Sequence, residues 1–470
     1  MSIVIFTICI CFLCSTFLFW KAAGTLNPGK LNTVSYIYYI YMIQSFIGTA
    51  LIMMGFDKHY TLNYLVEREK SIRTVFIIVL GISVALPLII ILFQRFTRIN
   101  MRRDYEGFLK KQTECSHEFS AYILVLTAAV ICSILLICFI CKIGYIPFLK
   151  FFFASDNFEF SVERARIGRL YFINPYLTNI LVLSLIPLFS YISFSYMLVV
   201  KDKKWFFISL VLFIMSVTVK TIKFEKSPLI FHILVYILIY TYYKGKIKKS
   251  YIVMLGIGLA GLLVFFYAAT GFSGNILDIY NGPLGRTLFT EVGTLAYSFD
   301  MFPAIFPFLG GRSFSPTILR LLGMSADQHL RSAKLTMAYY GSERVYGGSA
   351  GVMNTLFAGE AYANFGYKGV VFSVIWVAVF VGITVWIVLK LKKTPVVITF
   401  AALMTMKLGG MLEGGFFDFM YNFDLILMAV VIFGSYFLFD TDGKIQRLIH
   451  KNVKKMSGMI CLKFKMLRKS

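Results

Sequence analysis

Stretches of about 20 apolar residues, the length that crosses a bilayer as a helix, recur from one end of this chain to the other. Eleven windows qualify: 2–20, 35–56, 74–93, 120–141, 177–199, 205–222, 228–243, 250–269, 369–389, 395–412 and 421–439. A backbone in hydrocarbon must satisfy its own hydrogen bonds, so such a chain is expected to be an all-α, polytopic integral membrane protein with the lipid bilayer as its first partner. Composition excludes the alternatives. Only 15% of the 470 residues are charged and 58% are apolar, against about 25% charged in an ordinary soluble domain. The remaining charge is lopsided, with 47 Lys+Arg against 23 Asp+Glu, a net +24. In a membrane protein this points first to topogenic lysines and arginines and second to an anionic ligand. No nucleic-acid partner is expected.

The basic loops set the orientation. Arg95 to Lys111, Lys201 to Lys204, Lys244 to Lys249, Lys390 to Lys393 and the tail after Asp442 all fall on one face if the amino end is outside and the carboxyl end inside. The segment from Lys58 to Arg73 is basic too and falls on the other face. The first window has no basic n-region and no clear cleavage site, so it reads as an uncleaved helix. The chain then divides into membrane helices over 1–141, an external loop over 142–179 and central helices over 180–270. A large external loop over 271–368, C-terminal helices over 369–440 and a basic cytoplasmic tail over 441–470 follow. In the large loop, 286–308 reads as an amphipathic helix lying on the bundle. Ser325 to Gln328 has capping-box spacing and is expected to start a helix through Tyr339.

Long outer loops in a compact protein point to function. Arg164, Arg166 and Arg169 cluster in the first, and Arg286, Arg312, Arg320, Arg331 and Arg344 are spread along the second. Either these are solvated surface residues, or they clamp a diphosphate, since guanidinium stays charged and grips phosphate oxygens in a fork. Glu360 precedes the ninth window and has three readings, a general base for a hydroxyl, a helix cap or the partner of an arginine. Asp300, Glu291 and Glu343 are weaker candidates. Lys407 and Glu413 lie at membrane depth, where charge is costly and usually meets a partner. No zinc spacing, glycine-rich phosphate loop or nucleotide fingerprint is present. Asp440-Thr441-Asp442 matches a metal-binding acid pattern without a catalytic domain around it. No metal and no cofactor are expected, and no cysteine falls in an external loop to form a disulfide.

Three blocks resemble the Wzy-type oligosaccharide repeat-unit polymerases of bacterial O-antigen and capsule assembly. They are Phe306-Pro307-Phe308-Leu309-Gly310-Gly311-Arg312, Gly359 to Gly369 (Gly-Glu-Ala-Tyr-Ala-Asn-Phe-Gly-Tyr-Lys-Gly), and Lys226-Ser227-Pro228. Arg312 and Gly323 also match an Arg/Gly spacing discussed for sugar polymerases, which the first loop lacks. The resemblance implies a C-superfamily glycosyltransferase-like bundle in the bacterial cytoplasmic membrane, active on its outer face. The donor would be a glycan on undecaprenyl diphosphate and the acceptor a new lipid-linked repeat unit, with a chain-length regulator and a flippase as conceivable partners. The expected catalytic residues are Glu360, Arg312 and Arg286. Arg164, Arg166, Arg169, Lys226, Arg331, Tyr362 and Asn364 are expected to bind substrate. An O-antigen ligase and a lipid-linked-oligosaccharide flippase are the alternatives. The Gly359–Gly366 block favours the polymerase over the ligase, and the long outer loop without internal repeats argues against a flippase.

The orientation has a direct test. Single cysteines placed at Arg169 and at Lys248, in a background without native cysteines, should react with a membrane-impermeant maleimide on opposite sides of the membrane. Labelling of both from one side would overturn the assignment.

Overall fold

The computed structural model of the protein describes residues 2–153, 158–171, 174–269, 274–280, 282–347 and 351–439. The Asp440-Thr441-Asp442 triplet and the basic tail lie outside them. The described chain is helical, with no strand among the described residues. In chain order its main helices are α1 (Ser2–Ala23), α2 (Thr33–Met53), α3 (Arg68–Phe96), α4 (Met101–Lys110) and α5 (Glu118–Ile143). Next come α6 (Phe160–Arg169), α7 (Pro175–Val200), α8 (Lys203–Thr221), α9 (Ser227–Lys244) and α10 (Lys249–Ala269). The last five are α11 (Pro283–Met301), α12 (Ser332–Tyr340), α13 (Phe357–Lys390), α14 (Pro395–Gly414) and α15 (Phe423–Phe439).

Among the described residues ten helices are long and apolar enough to cross a membrane, so the chain is a multi-pass, all-α membrane protein. The seventh window, 228–243, is helical as α9 but falls outside that set, because His232 and several tyrosines dilute its apolar run. It is nevertheless an inner element, packed on α7, α8 and α14. Helix α14 is the centre of the bundle, with 89% of its apolar window buried and α2, α7, α9, α13 and α15 around it. Helices α1 and α10 are peripheral, at 11% and 6%. Polar contacts tie the inner helices together, as expected where lipid supplies no hydrophobic drive for helix association. Ser195 and Thr399 oxygens lie 2.7 Å apart, Thr405 contacts both Thr33 and Tyr242 at 3.0 Å, and His232 Nε2 lies 2.8 Å from Ser216 Oγ.

Helix α11 differs from the amphipathic surface helix expected over 286–308. It ends at Met301, and every residue from Val292 to Met301 is buried against α2, α3 and α13. Its polar side is compatible with burial because Thr294 and Ser298 return their hydroxyl bonds to the helix's own carbonyls. Asp300 accepts from the Val66 and Glu67 N–H groups at 2.8 and 2.7 Å, from Ser71 Oγ at 3.2 Å and from Tyr340 Oη at 2.7 Å. It thus supplies the start of α3 with a cap from across the fold. The helix expected from Ser325 begins later. Ala326–Gln328 is a 3-10 turn and α12 starts at Ser332.

Two basic segments are more than topogenic charge. Around Lys58 to Arg73, Arg68 pairs with Asp57 at 2.7 Å, Arg73 with Glu69 at 3.2 Å, and Lys70 with Glu67. Lys393 is fully buried. Its Nζ donates to the carbonyls of Leu109 and Lys111 at 3.1 and 2.9 Å, a cation on the carboxyl end of α4. Burial, with Lys111 nearby, pulls its ammonium down to about 8.

Asp300→Ala should strand the donors of α3 and lower stability by roughly 2–4 kcal/mol, measured as thermal unfolding in lipid nanodiscs. Asp300→Asn should cost less. An unchanged transition for Asp300→Ala would contradict this capping role.

Candidate functional site

The first turns of α13 carry the Gly359–Gly366 block, which belongs to the helix rather than to the end of the loop. Gly366 interrupts it with φ 62° and ψ −152°, a conformation essentially reserved for glycine. Residues 357–365 therefore leave the axis of the span and lie across the end of α14.

Glu360 sits in this first stretch and is almost sealed, at 5% exposure. Its Oε2 accepts the Phe417 N–H at 3.1 Å, at the start of the 3-10 turn Phe416–Phe419. Gly415, with φ +142°, passes directly beneath, and a Cβ there would stand 2.3 Å from that oxygen. The hydrogen bond of Glu360 therefore goes to a neighbouring turn, and its own helix begins without a side-chain cap. Its carboxylate faces inward, which corrects the expectation of an open general base. One residue past the amide that Glu360 holds, the half-buried Asp418 lies within electrostatic reach of Glu360, Arg331 and Lys407.

Asn364, one helical turn on, is a staple. Its Oδ1 accepts the N–H groups of Gly311 and Ser313 at 3.1 and 3.4 Å, and its Nδ2 donates to Ser313 Oγ at 3.0 Å and to the Glu360 carbonyl at 2.8 Å. Its own carbonyl accepts the Gly310 N–H at 3.0 Å. The Gly310-Gly311 turn is thereby fixed on α13, and Arg312 with it. The Arg312 Nε donates to the Leu309 carbonyl at 3.0 Å, and its carbonyl accepts the Leu330 N–H at 2.9 Å, which carries Arg331 alongside. Arg331 donates to Asn354 Oδ1 at 3.4 Å and lies within electrostatic reach of Glu360. Gly323, the partner of Arg312 in the sequence spacing, follows the short helix Pro316–Leu321 with φ +76°. Tyr362 is buried among the rings of Phe299, Phe308 and Tyr367, a packing role.

Glu360, Asn364, Arg312 and Arg331 thus share one site, and Arg286 does not. It is exposed on the first turn of α11. Phe299, the α11 residue that reaches Tyr362, is thirteen positions on, about 20 Å along the axis. Arg286 instead neighbours Lys226, whose Nζ sits 3.3 Å over the Tyr267 ring. Arg164 pairs with the adjacent Glu225 at 2.7 Å. Arg166 pairs with Glu163 at 2.8 Å and donates to the Ile143 carbonyl at 3.1 Å, and with Tyr145 it holds the Glu163 carboxyl below its ordinary range. Arg169 is exposed on α6. These loop cations lie apart from Arg312 and Arg331.

Sequence reasoning named Asp418 and Asp424 only as acids flanking an outer turn and Lys220 only as a charge at a helix end, gave none of them a site role, and did not name Ser184. The spacing of Asp418 from Gly414-Gly415 was the available signal. Among the described residues no group of three or more His, Cys, Asp or Glu gathers as a metal site. No family model, curated protein or solved structure matches the chain.

Burial, and then the Arg286 charge, pull the Lys226 ammonium down to about 8. A cation beside it disfavours its protonated form, so Arg286→Gln should raise its titration midpoint. Acylation of Lys226 followed by mass spectrometry across pH should be half-maximal near that value in the wild type and shift upward in the variant. A downward or absent shift would contradict their proximity.

Proposed function

We propose that the protein is a membrane glycosyltransferase that polymerises undecaprenyl-diphosphate-linked oligosaccharide units into a bacterial surface polysaccharide, working at the outer face of the cytoplasmic membrane. The observation that carries this reading is the fixed group of Arg312, Arg331, Glu360 and Asp418 where α13 crosses the end of α14. It joins cations suited to a diphosphate with carboxylates suited to a hydroxyl, beside a lipid-facing bundle. In the reaction, the acceptor hydroxyl oxygen bonds to the donor's anomeric carbon and the bond from that carbon to the diphosphate oxygen breaks. The hydroxyl proton passes to a carboxylate, and undecaprenyl diphosphate leaves with the electron pair. Preorganised guanidinium groups stabilise the charge that develops on the leaving diphosphate. Asp418, half-buried between Arg331 and Lys407, is the carboxylate with access to a hydroxyl, and Glu360 positions the turn that carries it. The resemblance of the Gly359–Gly369 block to repeat-unit polymerases supports the same reaction class.

The test is complementation of a deletion strain, with surface glycan sized on a gel. Deletion should leave single repeat units on the lipid core. Polymer retained on the carrier would favour the ligase, and loss of all surface repeats the flippase. Among variants at normal expression, Asp418→Asn, Arg331→Ala and Arg312→Ala should each shorten or abolish the ladder, the rate falling on the order of 10²-fold for loss of a proton acceptor. Glu360→Gln keeps an acceptor for the Phe417 N–H and should be milder. Wild-type ladders from the first three would sink the site assignment.

A further inference from the structure

Below this group the bundle holds charge that no loop arginine explains. Lys407 stands on the central helix α14, seven residues and about 10 Å before its end. Its Nζ lies 3.4 Å from Asp424 Oδ2 on α15. The other oxygen of Asp424 accepts Ser184 Oγ at 3.1 Å. Ser184 closes the stretch Thr178–Ser184 of α7, which has π-helical geometry, a widening that frequently marks functional positions. Lys220, near the end of α8, lies within electrostatic reach of both Lys407 and Asp424. It has no hydrogen bond or ion pair of its own among the described residues. Two lysines thus converge from two helices on one aspartate that already serves a serine.

A surplus ammonium at membrane depth is costly and is ordinarily matched by a partner. Snorkelling to the headgroups would account for a lysine at a helix end, but not for one that faces Lys407 and Asp424 from two other helices. The 3.4 Å pair is long for a charge-assisted bond, and Lys407 and Asp424 are 38% and 48% exposed, so an incoming anion reaches Lys407 directly, with the more buried Lys220 behind it. Lys407 is also within electrostatic reach of Asp418, which joins this pair to the group on α13.

We infer that Lys220 and Lys407, which share Asp424 as their resident counter-charge, form an anion subsite within the membrane-spanning bundle that takes a phosphoryl group carried on a lipid. This rests on the proposed function for the identity of the lipid and extends it in depth. The phosphoryl end sits among the α8 and α14 lysines, below the level of Arg312 and Arg331, with its apolar tail against the bundle.

The test is binding, read as a thermal shift and by native mass spectrometry on the full chain in phosphatidylcholine nanodiscs. The probes are undecaprenyl diphosphate, undecaprenol and inorganic pyrophosphate. Undecaprenyl diphosphate should bind, and undecaprenol, lacking phosphate, should bind at least tenfold more weakly, roughly the loss of one charged contact. Lys220→Met and Lys407→Met should each weaken diphosphate binding by about tenfold, while Lys220→Arg retains it. Asp424→Asn frees Lys407 from its competitor and should tighten binding, a gain that misfolding does not produce. Pyrophosphate binding as tightly as the lipid would assign the anion to solution and overturn the lipid source. Equal binding of undecaprenol, or unchanged binding in both methionine variants, would overturn the subsite. Binding through the lysines in a protein that makes no polymer would keep the subsite and remove the polymerase reading.

Discussion

The site depends on one joint, where residues 357–365 leave the axis of α13 at Gly366 and are stapled to two other segments. Asn364 fixes the Leu309–Ser313 turn above, and Glu360 fixes the Phe416–Phe419 turn below. Both are nearly or fully sealed from solvent, where hydrogen bonds strengthen and an unpaired polar group is expensive. Their partners are backbone N–H groups that a membrane-embedded turn has to satisfy anyway. Arg312, Arg331 and Asp418 are carried on the stapled segments and inherit their geometry. A chain of some hundred residues between spans is thereby held to the bundle at defined points instead of hanging from it.

The spans were legible in the sequence because length and hydropathy alone define them. Helix α9 was read from its apolar run, and its interior placement, with His232 bonded to Ser216, explains why it tolerates polar residues. The burial of α11 was not legible. Its 3.6-residue periodicity shows which face is apolar, but nothing local reveals that Thr294, Ser298 and Asp300 on the other face all find partners. The start of α13 was placed too late for a related reason. Glycines and polar residues lower hydropathy there, yet Glu360 and Asn364 spend their polarity on the backbone of other elements.

The candidate site was legible in part. Glu360, Arg312, Arg331 and Asn364 were singled out, and the structure gathers them. Glu360 and Asn364 bond to other segments, and Asp418 lies half-buried within electrostatic reach of Glu360. Arg286 and the α6 arginines were grouped with them because a sequence carries charge but no distance, and the length of α11 separates the two ends. Lys407 was recognisable as a charge at membrane depth. Its neighbour Asp424 opens the next helix and Lys220 comes from a helix far back in the chain, and no spacing rule links the three.

The central claim is that the group on α13 joins lipid-linked glycans. The most direct measurement is reconstitution of the purified protein in liposomes with a synthetic undecaprenyl-diphosphate-linked repeat unit, followed by mass spectrometry of the products. The account predicts a ladder of oligomers, each bond formed releasing one undecaprenyl diphosphate. Recovery of the single unit unchanged, whether left in place or carried across the bilayer, would contradict it.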